Sequence, residues 1–240
     1  MERNRIPTSV RKHKFTLLLI TTVLLCSAAT LGSNGSLYAD SASSLGLAPR
    51  HLVSGELLRV MTSLFLTHDL RHLEVVFVMI FLAVGWCENT LGSKIAFWTF
   101  SLSHLTSVFI FAVGVGLLHW MQLGQSISTL YSLHDVGPSA GYYGCLSRTI
   151  LACEIPHKKT LLGGLFGVLS VRALVSFLQM PDSQISLSAD IVHLIAVIVG
   201  VILQVSWYRT NKRNCDIRAS SSNAFVIYCS LTIYWTQVLD

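Results

Sequence analysis

An all-α bundle of membrane-spanning helices is the fold class this sequence predicts, and three observations predict it. Hydrophobic residues make up 52% of the chain and charged residues only 12%, against about 25% charged in an average soluble domain. The apolar residues gather in long runs, and a helix needs about 20 such residues to cross a bilayer. The basic residues sit in short clusters between those runs, the pattern of cytoplasmic loops in membrane proteins. The net charge of +5 therefore does not point to nucleic acid, because no basic groove with interleaved aromatics accompanies it. The six cysteines fall mostly inside apolar segments. They show no CxxC or Cys/His ligand spacing, so neither a disulfide framework nor a zinc site is expected, and no cofactor is called for.

Taken in order, residues 1–14 are a basic segment with Arg3, Arg5, Arg11, Lys12 and Lys14, expected in the cytoplasm. Phe15 to about Leu31 is the first span; a signal peptide is the alternative, but the apolar run is long for its hydrophobic region. Gly32 to Arg50 is a Ser/Gly-rich outer segment with an Asn34-Gly-Ser36 sequon, and His51 to Thr67 reads as short interfacial helices. The second span runs from about His72 to Trp86 and ends in Glu88-Asn-Thr-Leu-Gly-Ser-Lys94; the third runs from Ile95 to about Met121. After a polar outer loop from Gln122 to Val136, the fourth span opens at Gly137-Pro138 and reaches Glu154. The fifth covers Leu161 to Met180, Pro181 to Ser188 turns outside, and the sixth runs from Asp190 to Trp207. Residues 15–208 thus form one transmembrane domain. Residues 209–240 begin with the cytoplasmic cations Arg209, Lys212, Arg213 and Arg218, and Ala224 to Leu239 is a candidate seventh helix of marginal length.

With the N-terminus inside, spans two, four and six all run inward, and His72, Ser139 and His193 each stand near the start of one of them. The three side chains should share one depth near the outer face. Fifteen residues separate Ser139 from Glu154, about 22 Å at about 1.5 Å per residue. Against a hydrocarbon core of about 30 Å, that puts the serine roughly 8 Å below the outer surface.

An ionisable side chain inside an apolar run is costly without a partner, which makes His193 a functional candidate. A serine hydroxyl becomes nucleophilic when a histidine takes its proton, and donors must face the developing oxyanion. Ala196 and Gly200 put small residues on the His193 face of span six, a seam that would let span four, with Gly137, Gly141 and Gly144, come close. Tyr143 lies one turn below Ser139 on the same face and could stack on the imidazole. The helix start at Ser139 offers free backbone N–H groups, and His72 adds a side-chain donor. A lone Gly-x-Ser-x-Gly is otherwise a helix cap or, in α/β-hydrolases, a strand-to-helix elbow; this composition excludes the sheet that an elbow needs.

These residues resemble the rhomboid intramembrane serine proteases. The family's Trp-Arg-x-x-Thr-x-x-Phe-Leu-His loop and following His-Leu pair align without gaps at Arg59, Thr62, Phe65-Leu66 and His72-Leu73. Glu88 with Leu91-Gly92 resembles the Glu-x-x-Leu-Gly turn after the second helix. Ser139 matches the nucleophile, Tyr143 the tyrosine four residues on, and His193 with Gly200 the sixth helix. The resemblance covers about residues 55 to 205. It implies a Ser139/His193 dyad, an oxyanion held by His72 and the Ser139 N–H, no metal, and cleavage of single-pass membrane proteins near the outer face. The expected partners are transmembrane protein substrates and the lipid bilayer, with no nucleic acid; the oligomeric state is left open. The expected location is a multi-pass integral membrane protein with a cytoplasmic N-terminus, in the cell membrane if the source is bacterial.

The departures define the alternatives. Leu58 replaces the family tryptophan, Thr67 stands at its first histidine with His68 shifted by one, and Val76 replaces the asparagine of the oxyanion hole. Ala140 and Ala196 replace glycines. A catalytically weak or inactive relative that binds transmembrane helices for quality control or trafficking is the competing reading, and a transporter is disfavoured because no paired broken helices or repeat appear. Asp190 is expected as an interfacial helix cap rather than a third catalytic member, and Asp135 as loop chemistry. Arg172 sits mid-span, where it would snorkel, pair with a carboxylate or contact substrate. His119, His134 and His157 are expected at the interface.

Overall fold

A computed structural model describes residues 13–180 and 183–210, and among these the chain is 79% helix with no strands. Four helices are long and apolar enough to cross a bilayer, the signature of a membrane protein. The order is α1 (Lys14–Thr30), three short helices α2 (Ala39–Leu45), α3 (Pro49–Val53) and α4 (Leu58–Ser63), then α5 (Leu70–Leu91) and α6 (Ser93–Trp120). There follow α7 (Gln125–Ser132), α8 (Ser139–Ala152), α9 (Lys158–Leu178) and α10 (Gln184–Thr210). The four long ones are α5, α6, α9 and α10. The 210–240 portion of the sequence expectation, including the candidate seventh helix at Ala224 to Leu239, lies outside the described residues, apart from Thr210 at the end of α10, as do residues 1–12.

Helix α8 is the hub. It has 14 residues, too few to cross alone, and every residue from Ala140 to Ile150 is buried. It packs most closely on α10 and α6, so its backbone groups and small side chains are enclosed by protein. The small-residue seam expected between spans four and six is present. A side chain at Gly200 would collide with the Gly144 carbonyl and the Ser147 hydroxyl, and one at Gly144 would collide with Ser103. In lipid, where apolar surface gains little from leaving the surrounding chains, such close backbone approach is a main source of helix association. Helix α9, by contrast, buries the least of its surface and contacts chiefly α10.

Helix α5 starts at an N-cap, Asp69, whose carboxylate accepts from the His72 N–H at 2.7 Å. It includes one π-helical turn, Ile80–Val84, packed against α8 and α1. Near its far end Glu88 is buried, not looped into solvent. It accepts from the Phe15 and Thr16 N–H groups at 2.9 and 2.8 Å, the Thr16 hydroxyl at 2.6 Å and the Ser93 hydroxyl at 2.5 Å. One carboxylate thereby satisfies the start of α1 and ties it to the α5–α6 turn. Cys26, Cys87, Cys145 and Cys153 are free thiols.

Several sequence boundaries are corrected. The outer loop from Gln122 to Val136 contains helix α7. The last long helix begins at Gln184, six residues before the expected Asp190, so Gln184 to Ser188 of the expected turn are helix. Asp190 consequently lies in the second turn of α10, fully buried, and is not an interfacial cap.

Candidate active site

The chain leading into α8 is pinned on every side. Leu47 and Asp135 exchange two backbone hydrogen bonds, at 3.1 and 2.7 Å, and the Gly137 N–H donates to the Ser63 carbonyl at 2.9 Å. Ser63 ends α4, which is itself anchored by its neighbours. Arg59 donates to the Ser43 and Gly46 carbonyls at 2.7 and 3.1 Å, and the Thr62 hydroxyl donates to the Leu45 carbonyl at 2.8 Å. The matched Arg59 and Thr62 thus work as a frame for the serine loop. Gly137 turns at φ 120°, and a Cβ there would lie 3.2 Å from the His72 ring. Glycine is required there both for the backbone angle and for that approach.

Ser139 is the first residue of α8, after the N-cap Pro138. Gly141 and Tyr142 N–H donate back to the Pro138 carbonyl, which leaves the Ser139 and Ala140 N–H groups without an intrahelical acceptor. One turn on, the Tyr143 ring packs on the His193 imidazole, with centroids 4.5 Å apart and planes at 40°. His193 is 6% exposed, and neither ring nitrogen has a hydrogen-bond partner. No hydrogen bond joins Ser139 to His193. Catalytic hydrogen bonds often tighten only in the substrate complex, so this spacing bears on pre-organisation rather than identity.

His72 is oriented by the backbone. The His68 N–H donates to His72 Nδ1 at 3.2 Å, and the two rings stack 5.3 Å apart. An accepting Nδ1 leaves the ring proton on Nε2, which lies 3.6 Å from the Cβ position of Gly137. The shifted His68 therefore sets the tautomer that makes His72 a donor beside the serine loop. Thr67 is buried and hydrogen-bonded to Ser27 at 3.0 Å, and Val76 is fully buried in the core. Burial pushes the Asp135 carboxyl up from the usual aspartate range. Burial, then Arg59, lowers His51, and burial, then Arg50, lowers His134, whose ring packs 5.2 Å from His51.

Asp190 and Arg172 find each other. Arg172 Nη2 is 3.1 Å from Asp190 Oδ1, and the Ser176 hydroxyl donates to Asp190 Oδ2 at 3.0 Å. The pair joins α9 to α10 one turn before His193, and Asp190 makes no hydrogen bond to that imidazole. Two buried polar groups escaped the sequence reading. His104 on α6 is 3% exposed, with Nε2 3.3 Å from the Val60 carbonyl. Arg148 on α8 is 6% exposed and donates to Thr99 and Gln204 at 2.8 and 3.3 Å. The rule that singled out His193, an ionisable group in an apolar run, applies equally to both. Among the described residues no group of three His, Cys, Asp or Glu side chains is arranged to hold a metal ion.

No protein-family model, curated protein or solved structure matches this chain.

Proposed function

We propose that this chain is a rhomboid-like intramembrane serine protease of six membrane-embedded helices that cleaves single-pass transmembrane proteins. The six are α1, α5, α6, α8, α9 and α10. The observation that carries this reading is one juxtaposition. The first turn of α8 presents Ser139 with free N–H groups, a buried and unpartnered His193 sits against Tyr143 one turn below, and a donor-state His72 adjoins Gly137.

In the proposed reaction His193 takes the Ser139 proton as Oγ attacks the scissile carbonyl. The oxyanion is held by the Ser139 N–H and His72 Nε2–H. His193 then protonates the leaving amine, and a water, deprotonated by His193, releases the acyl group and regenerates the serine. The chemistry needs an imidazole free to take a proton, and both His193 ring nitrogens are without a hydrogen-bond partner beside Tyr143. The test is covalent labelling with a serine-directed fluorophosphonate. Wild type should label and Ser139→Ala should not; equal labelling of both would reject the nucleophile.

Val76 leaves the oxyanion site without the side-chain amide that the family resemblance would place there. Loss of one preorganised donor costs about 10²–10³ in rate. Val76→Asn should therefore accelerate cleavage, and His72→Ala should slow it by about that factor. Cleavage indifferent to His72→Ala would remove His72 from the oxyanion role.

In the proposed orientation the N-terminus is cytoplasmic, residues 122–136 face outside, and residues 154–160 face the cytoplasm. Single cysteines placed at exposed positions in these segments, in a background lacking the native cysteines, should label from those sides. Labelling of residues 154–160 from outside would invert the orientation. The pseudoenzyme reading keeps one favourable observation, the apolar Val76; the same fluorophosphonate experiment separates it from the protease.

A further inference from the structure

At the end of α8 opposite Ser139, a cavity of about 120 Å³ opens between the last turn of α8, the start of α9 and the end of α10. Lys158, Gln204, Trp207 and Tyr208 line it, with Glu154 as the carboxylate in its wall. Lys158 Nζ donates to the Leu151 and Cys153 carbonyls at 3.2 and 3.3 Å, which holds the ammonium against the end of α8 and leaves one N–H over. Gln204 is buried, and its Oε1 accepts from Arg148 Nε at 3.3 Å. A guanidinium only donates, so this bond fixes the amide: its oxygen faces Arg148 and its NH₂ is the remaining donor. Behind Gln204, the buried Arg148 bonds to the neutral Thr99 and Gln204, and no carboxylate pairs with it among the described residues. Lys158 and Arg148 against Glu154 leave this end of α8 with surplus positive charge and donors facing the cavity.

We infer that this cavity binds the phosphate of an anionic lipid headgroup, with Lys158 as counter-charge and the Gln204 amide and Tyr208 hydroxyl as further donors. The surplus positive charge selects an anion, and the position selects a lipid. Trp207-Tyr208-Arg209 ends α10 with two aromatics and a cation, the order in which a span passes the headgroup level. Ile202, Val205 and Tyr208 are exposed and three residues apart. They form a strip on one face of α10 that leads from the cavity into the apolar span, where an acyl chain can lie. Basic pockets between spanning helices on the cytoplasmic side hold anionic headgroups, and this end of α8 is cytoplasmic in the proposed orientation. The inference does not depend on Ser139 being a nucleophile.

The experiment titrates the full chain, in a neutral detergent, with phosphatidylglycerol or with phosphatidylcholine of the same acyl chains, and reads bound lipid by native mass spectrometry. The wild type should bind phosphatidylglycerol at least about fivefold more tightly, the effect of one basic side chain near an anionic headgroup. Lys158→Gln, which keeps a donor for the α8 carbonyls, should remove most of that preference. Glu154→Gln, which removes the opposing charge, should raise it by a similar factor. Lys94→Gln, at an exposed lysine outside the cavity, should leave it unchanged. Equal affinity for the two lipids in the wild type overturns the inference even where a variant fails to fold, and so does a preference that neither Lys158→Gln nor Glu154→Gln moves. A loss as large in Lys94→Gln would assign the preference to general positive charge and remove the cavity from it. Displacement of phosphatidylglycerol by millimolar inorganic phosphate would make free phosphate the ligand and overturn the lipid as its source.

Discussion

Ser139→Ala and His193→Ala will each bring cleavage of a single-pass substrate down to background, and the double variant will be no slower than either single. Members of one proton-transfer unit fail together, because the histidine has nothing to deprotonate without the serine and the serine stays a neutral alcohol without the histidine. Losses of about 10⁶ in kcat are typical of such a unit. Neither change should unfold the protein. Ser139 is half-buried and makes no side-chain hydrogen bond among the described residues, and both His193 nitrogens lack partners, so no polar group is orphaned by their removal. The His193→Ala cost is one of lost packing, including that against the Tyr143 ring. Cleavage kinetics and thermal unfolding in the same detergent check both halves. Wild-type cleavage by Ser139→Ala would end the protease reading, and multiplicative losses in the double variant would break the dyad into two independent roles.

Helix positions were legible because long apolar runs favour helix over their whole length. Lys14–Thr30, Ser93–Trp120 and Lys158–Leu178 fall within about three residues of the expected limits. The Gly144–Gly200 contact was also legible, since only small residues at helical spacing allow it. The start of α10 was not: it begins at Gln184, and Gln184 and Ser188 are enclosed, which composition alone cannot report. The same limit hid the fate of Asp190. A carboxylate at a span edge looks like a cap until the neighbouring helix supplies an arginine, and that pairing lies 18 residues away in sequence. His104 was legible in principle as an imidazole in an apolar run; what its ring faces depends on the fold of α4 and the serine loop. The His72 tautomer, likewise, follows from the backbone N–H of His68, a contact no side-chain pattern encodes.

Breaking the Arg172–Asp190 pair should be the largest stability effect in the described structure, and the two single variants should not cost the same. Removing one partner of a buried ion pair typically costs about 3–5 kcal/mol because the other charge is stranded. Asp190 has no exposed side-chain surface, whereas the Arg172 side chain is 24% exposed and long enough to carry its guanidinium outward. Arg172→Met, which strands the carboxylate, should therefore sit at the upper end of that range, although Ser176 still donates to Asp190. Asp190→Leu, which takes the carboxylate away from a partly exposed arginine, should cost less. Arg172→Met with Asp190→Leu should recover most of the loss, since apolar replacement of both charges is often neutral or stabilising. Thermal unfolding of the four proteins in one detergent decides it. Costs that simply add in the double variant, or an Asp190→Leu loss exceeding that of Arg172→Met, would show that the pair is not what these residues contribute. The double variant also separates structure from chemistry. With stability restored and the charges gone, near-wild-type cleavage would confine the pair to holding α9 against α10. Lost cleavage at wild-type stability would make Asp190 and Arg172, one turn from His193, part of how that imidazole is positioned.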